Sequence, residues 1–166
     1  MEQALAKLRA ESALPPIELS KIIVEEAVRL TGSALGYFAI TDDTEAQLTM
    51  LAWSQSAMAI CSTQEMPIEY PVVATGIWGD CIRERAPVIT NDYPNCTRVT
   101  KKGYPEGHVP VLRHMNVPVF SGTKIMGILG VGNRETEYSP ADAELLQAFA
   151  NAAWPIFAPA KERLRQ

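Results

Sequence analysis

The stretch from Asn116 to Gly132 leaves this chain little choice of fold. Asn116 to Phe120 and Ile125 to Gly132 are apolar, β-prone runs, and Ser121-Gly122-Thr123-Lys124 between them reads as a tight turn. Strands joined by so short a link pair antiparallel, because a parallel return needs a long crossover. The chain beyond them is equally constrained. Ser139-Pro140 offers a helix cap followed by proline at the first helical position. Leu145, Leu146, Phe149, Ala150, Ala153, Trp154 and Phe157 then recur at three- and four-residue spacing. Pro155 and Pro159 are expected to kink or end this helix, since each removes a backbone donor.

The first half completes the pattern. Glu2 to Ala13 reads as a helix that Pro15-Pro16 breaks. Pro16 suits the first turn of a second helix, Ile17 to Thr31, with Ile22, Ile23, Ala27 and Leu30 as its apolar stripe and Gly32 as its stop. Gly36 to Ile40 is a strand stopped by Thr41-Asp42-Asp43, and Gln47 to Ser54 should pair with it as a hairpin. A shorter extended piece is expected near Met66 to Tyr70. Gly76 to Arg85 reads as a short helix with Ile77, Cys81 and Ile82 inward, and Pro87 to Thr90 as a short strand leading into a loop. Strands dominate the middle and helices the ends. That order favours an α+β domain with an antiparallel sheet of five to six strands over a βαβ fold.

Bulk properties exclude several classes of function. A chain of 166 residues suits one domain with a proper core. Its net charge of -4 argues against a nucleic-acid surface, which needs clustered excess Lys and Arg. The apolar runs are too short to span a bilayer, and Met1-Glu2-Gln3 opens a polar helical segment rather than a secretory leader. Cys61, Cys81 and Cys96 are odd in number and lack metal-ligand spacing, so a reduced, cytoplasmic setting without disulfides is expected.

The candidate binding residues lie between Trp78 and Asn116. Asn91-Asp92-Tyr93-Pro94 is a turn sequence that presents an aromatic ring. Gly103-Tyr104-Pro105-Glu106-Gly107-His108 reads as loop, and His108 has no partner at metal-ligand spacing. Arg113 stands before an apolar strand, where it is either a salt-bridged surface group or an anion fork. Lys101 and Lys102 add positive charge nearby, so an anionic or polar small ligand is expected. Tyr93, His108 and Arg113 are the expected ligand contacts, oriented by Asp92 and Asn116, with Asn91 and Trp78 also at the site. Asn133-Arg134 with Asp142 reads as a latch, the guanidinium pairing across the turn that leads into the final helix.

These residues resemble a known family. Asn133-Arg134, Tyr138 and Asp142 are similar to the Asn-Lys…Phe…Asp-Glu signature of cyclic-nucleotide-binding GAF domains, although Ala143 stands where the Glu would be. Trp53-Ser54, Thr75-Gly76-Ile77-Trp78-Gly79, Asn91-Asp92-Tyr93, Gly103 to His108 and Val117-Pro118-Val119 resemble a narrower bacterial and archaeal GAF branch. The resemblance covers about Ile17 to Phe157. It implies terminal helices on one face of the sheet and a ligand pocket with short helices and loops on the other. It further implies a GAF unit over 17–158, with 1–16 and 159–166 as helical connectors, and a sensory role that involves no catalysis. Its expected partners are a small ligand, a second copy through the terminal helices and an output kinase or cyclase domain in cis. Two rivals stay open. Free methionine-R-sulfoxide reductases are single GAF domains of similar length, but the Cys between two glycines in their helix-start motif is replaced here by Trp78. A haem sensor would need an axial ligand such as His108, His114 or Cys61.

Overall fold

The computed structural model describes residues 1–60, 68–103 and 108–165. Six strands form one antiparallel sheet: β1 (Leu35–Thr41), β2 (Gln47–Trp53), β3 (Ile68–Pro71), β4 (Val88–Thr90), β5 (His114–Ser121) and β6 (Lys124–Gly132), in the order β3-β2-β1-β6-β5-β4. The hairpin that opened the sequence reading pairs Ser121 with Lys124, and Gly122 takes a φ of 61° at the first turn position. A side chain there would be strained, which explains the glycine.

Three helices cover one face: α1 (Glu2–Ala10), α2 (Pro16–Thr31) and α5 (Pro140–Glu162). Leu8, Leu19, Ile23, Phe149 and Phe157 pack there against Phe38, Met115, Val117 and Leu129 in one buried cluster. The Phe38 and Phe157 rings meet edge-to-face at 5.2 Å. On the opposite face a second cluster joins Ala39, Leu48, Met50, Val88, Ile125 and Ile128 to Cys81 and Ile82 from α4 (Asp80–Arg83). The α+β reading with an antiparallel sheet and helices on one face therefore holds.

Several boundaries differ for identifiable reasons. The helix expected from Gly76 to Arg85 splits into a 3₁₀ turn, Ile77–Gly79, followed by α4. A Cβ on Gly79 would lie 1.8 Å from Thr75 Oγ1, so the tight turn forms where no side chain intervenes. A short helix α3 (Gln55–Ile60) follows β2, and the Ala57 amide donates to the Ser54 hydroxyl. Ser54, expected at the end of a strand, thus leads into this helix. Helix α1 stops at Ala10 rather than Ala13. Cys61, the beginning of the Met66 to Tyr70 segment and Tyr104 to Gly107 lie outside the described residues.

The clearest correction concerns α5, which runs to Glu162 without ending at Pro155 or Pro159. The two prolines are four residues apart, both on the exposed side. The carbonyls they leave without a helical donor belong to Asn151 and Pro155, where water can satisfy them. Each proline costs about 3 kcal/mol of helix propensity. Burial of Phe149, Trp154 and Phe157 on the other side, at about 1.5–3 kcal/mol each, offsets that cost. Helix α5 also closes the sheet edge. Strand β5 runs past β4, and there the Phe120 amide donates to Asn151 Oδ1 at 3.0 Å while Gln147 Nε2 donates to the Pro118 carbonyl.

Helix α1 is held to α2 by Glu26, which is buried between Lys7 at 2.9 Å and Arg29 at 2.7 Å. Burial alone would raise the Glu26 carboxyl, but the hydrogen bonds from Lys7 and Arg29 bring it below its ordinary 4.5. A carboxyl lowered in the folded state stabilises above its unfolded value and loses that contribution as pH falls through the folded one. Protection of the α1 amides, relative to their intrinsic exchange rates, should therefore fall below about pH 4.5, and Glu26→Gln should remove this pH dependence while leaving α1 less protected at pH 7.

Candidate functional site

The face away from the terminal helices carries a chain of polar side chains across three strands. Tyr37 on β1 and Asn116 on β5 both lie opposite Gly130 of β6. With no side chain between them, the Tyr37 hydroxyl donates to Asn116 Oδ1. A Cβ at Gly130 would sit 2.3 Å from the Tyr37 ring and 2.5 Å from that oxygen. The Asn116 amide then donates to His114 Nδ1 at 2.8 Å, which leaves the ring proton of a neutral imidazole on Nε2. His114 is only 8% exposed, and its Nε2 has no hydrogen-bond partner among the described residues.

Aromatic rings wall this chain. Trp78 meets Tyr37 edge-on at 6.1 Å and Tyr70 at 5.5 Å. Tyr93 is buried, with its ring 5.9 Å from that of His114 and the Lys101 ammonium 5.0 Å from its own centre. Burial, with the Arg98 charge adding to it, pushes His114 down to about 4. Desolvation likewise pushes Tyr37 well above the usual phenol value.

Beneath the loop lies an ion-pair knot. Asp80, nearly fully buried, accepts from Arg83 at 2.6 Å, from Thr100 at 2.7 Å and from Arg98 at 3.2 Å. Arg83 also holds the Val72 and Gly76 carbonyls, and Arg98 pairs with Glu84. Both arginines are thus compensated, and the knot fastens the segment around Thr100 to α4.

A second network lies at the opposite end of the loop. The Asn91 side chain donates to the Tyr138 carbonyl at 2.9 Å and accepts from the Tyr138 amide at 2.8 Å. The Tyr138 hydroxyl meets Ser33 at 2.7 Å, and Ser33 meets Thr31 at the end of α2, also at 2.7 Å. Arg134 pairs with Asp142 at 2.6 Å, and Asp142 closes a capping box with Ser139. Asn133, at a φ of 56°, accepts from the Leu112 amide at 2.8 Å.

The expected site residues fall into separate groups. Trp78, Tyr93 and Asn116 lie on the loop face, Trp78 against Tyr37 and Tyr70, Tyr93 and Asn116 against His114. Asn91 joins Asn133, Arg134 and Asp142 near the start of α5. Asp92 is exposed and holds Asn95. Arg113 turns Nη1 to the Arg134 carbonyl at 3.4 Å, and its buried Nε has no hydrogen-bond partner among the described residues. His108 is exposed, with Nδ1 2.7 Å from the Val109 carbonyl. His114, expected only as a haem axial ligand, lies two residues from Asn116, an offset that puts both on one strand face. Tyr37, Thr90 and Asp80 gave no local signal. Among the described residues no three His, Cys, Asp or Glu side chains cluster as a metal site, and no helix is long and apolar enough to cross a membrane. A cleft of about 380 Å³ beside β4, lined by Pro87, Ile89, Pro140, Ala143 and Glu144, lacks the converging polar groups of the loop face.

The GAF domain model GAF_2 matches residues 13–158. The chain belongs to the GAF domain family. It is 44% identical over 154 residues to the methyl sulfide methyltransferase-associated sensor of Methanosarcina acetivorans, a match covering 93% of this chain and 15% of that protein. The chain therefore spans a small part of that relative. The GAF domain of a phosphoenolpyruvate-protein phosphotransferase from Coxiella burnetii superposes with a TM-score of 0.77 at 16% identity, covering 99% of this chain and 96% of that one. Free methionine-R-sulfoxide reductase from Neisseria meningitidis, in complex with its substrate, superposes with a TM-score of 0.69 at 13% identity, covering 98% and 90%. At such identities the two superpositions speak to the fold alone.

Two outcomes are expected for this GAF site. Gly130→Ala should lower unfolding stability by about 1–3 kcal/mol in a urea titration, because its methyl displaces the Tyr37 ring and breaks the Tyr37–Asn116 bond. The His114 pH effect has the opposite sign to a salt-bridged histidine. Its folded value of about 4 lies below the ordinary 6.5, so between these values the unfolded state binds the extra proton. Stability should then fall by about 1.4 kcal/mol per unit as pH drops from 6.5, and level off near the folded value. His114→Gln should flatten that slope between about pH 6.5 and 5, measured by urea unfolding.

Proposed function

We propose that this GAF domain is a sensory module that binds a small molecule on the loop face and relays occupancy through its terminal helices to an output domain. The observation that carries the reading is the junction at Tyr138. The loop bearing Tyr93 is tied through Asn91 to the Tyr138 backbone, and the Tyr138 hydroxyl reaches the end of α2 through Ser33 and Thr31. Tyr138 immediately precedes the Ser139 cap of α5. A ligand that prefers one arrangement of the loop would shift the packing of α2 and α5 by its differential affinity. The sensor name of the Methanosarcina relative supports the same role.

In this reading Trp78, Tyr93 and Asn116 contact the ligand, Asn91 and Asp92 hold the loop, and His108 and Arg113 lie at the rim. Asn133, Arg134 and Asp142 latch α5. Residues 17–158 form the sensory unit, with 1–16 and 159–166 connecting it to neighbours such as a kinase or cyclase domain. The terminal helices pair two copies, in a cytoplasmic signalling protein. Cys81 favours binding over thiol chemistry. Burial and the Asp80 charge push its thiol up, so the nucleophilic thiolate is suppressed.

A thermal-shift screen followed by calorimetry tests this, because a ligand of the native state raises its melting temperature. Tyr93→Ala should weaken the selected ligand by about tenfold or more, roughly 1.4 kcal/mol. Asn91→Ala should leave affinity within about threefold, under 1 kcal/mol, yet abolish the ligand-dependent change in amide exchange of α5. If Tyr93→Ala leaves affinity unchanged, the binding face is misassigned. A Soret band in the purified protein would replace this reading with a haem sensor.

A further inference from the structure

Thr90 Oγ1 and His114 Nε2 are both shut off from solvent without a hydrogen-bond partner among the described residues. They are neighbours. Thr90 pairs directly with His114 in the β4–β5 register, as Val88 does with Asn116. Val88 belongs to the loop-face cluster, so strand alternation puts Thr90 on that face beside His114. Directly opposed antiparallel residues bring their Cβ atoms to within about 4.5–5.5 Å. Thr90 and His114 are 7% and 8% exposed. Buried polar atoms are almost always paired, so two orphans side by side mark a place prepared for a third group.

We propose that Thr90 and His114 together hold one acceptor oxygen of an uncharged, flat ligand, such as the carbonyl of an aromatic amide. This rests on the ligand-binding reading above and names the chemistry of its site. The Asn116 amide occupies Nδ1, which makes Nε2–H a donor, and the Thr90 hydroxyl can rotate to supply a second. Two donors suit the two lone pairs of one carbonyl oxygen. Asp80 is paired with Arg83 and Arg98, Arg98 also with Glu84, and Arg113 directs Nη1 to the Arg134 carbonyl, its buried Nε unpartnered among the described residues. An ionised carboxylate or phosphate would lose its hydration here and meet only neutral donors. Tyr93, tilted 54° to His114, supplies a flat wall. The pair is buried, so an oxygen would reach it only as the Tyr93 segment beside His114 gives way. That segment is the one tied through Asn91 to Tyr138, which couples recognition to the relay.

Benzamide and benzoate, equal in ring and differing in charge, provide the test. Benzamide should bind saturably in calorimetry and shift the His114 Nε2–H resonance, with benzoate at least about tenfold weaker. Thr90→Val removes the hydroxyl but keeps the shape. It should raise the melting temperature of the free protein and weaken benzamide by about tenfold, while Thr90→Ser retains binding within about threefold. Absence of saturable benzamide binding, tighter binding of benzoate, or unchanged benzamide affinity in Thr90→Val overturns the inference. A screened compound lost in Tyr93→Ala but kept in Thr90→Val would sink this assignment and leave the sensory reading standing. No compound binding in any arm would sink both.

Discussion

The Tyr37 hydroxyl crosses the middle of the sheet to reach Asn116 because β6 has only a hydrogen on that face at Gly130. The loop face depends on this crossing. It fixes the Asn116 amide, Asn116 fixes the His114 tautomer, and the edge-on Trp78 ring packs over Tyr37. A glycine inside a strand weakens it intrinsically. Here the weakness is offset by a hydrogen bond between strands that are not neighbours, so three strands are keyed together by one missing side chain.

The two faces follow different rules. On the helix face, α1, α2 and α5 bury large apolar side chains, and the arrangement is held redundantly by volume and shape. Helix α5 persists through two prolines because packing on one side outweighs propensity on the other. On the loop face, apolar packing is thinner and specificity comes from directional bonds: the Asp80 knot, the Asn91–Tyr138 clamp and the Tyr37–Asn116–His114 chain. Directional networks have few alternative arrangements, and the loss of one member leaves its partners unpaired. A face built this way responds to a single new hydrogen bond more sharply than a packed core can.

The difference explains what could be read from residue order. Helix caps at Gly32 and Ser139, the Gly122 hairpin and the apolar stripe of α5 are local, so their signals survive in the sequence. The α+β fold followed from them. The Arg134–Asp142 pair spans only eight residues and was equally accessible. The site depends on longer connections. Tyr37 and Asn116 are 79 residues apart, Asn91 and Tyr138 47, and Arg98 and Asp80 18. Register across the sheet, rather than composition, decides that Thr90 faces His114. For Arg113, the residue type leaves a salt-bridged surface group and an anion fork both open, and the fold directs its Nη1 to a backbone carbonyl.

Tyr138 connects the two rules. Its ring is buried with the helix-face core, its backbone is gripped by Asn91 from the loop, and its hydroxyl continues to Ser33 and Thr31. Burial raises its phenol above the usual value despite the Ser33 bond, so the hydroxyl stays protonated. In the proposed relay, movement of the loop would reach a residue bonded to the end of α2 and adjoining the cap of α5. Coupling between sites requires such an element, one whose arrangement each side can bias. A rigid core alone would resist the loop, and a free loop alone would move without consequence. Tyr138 is fixed by the first and bonded to the second, which makes it the position where, in the proposed relay, a small polar event would become a change in helix packing.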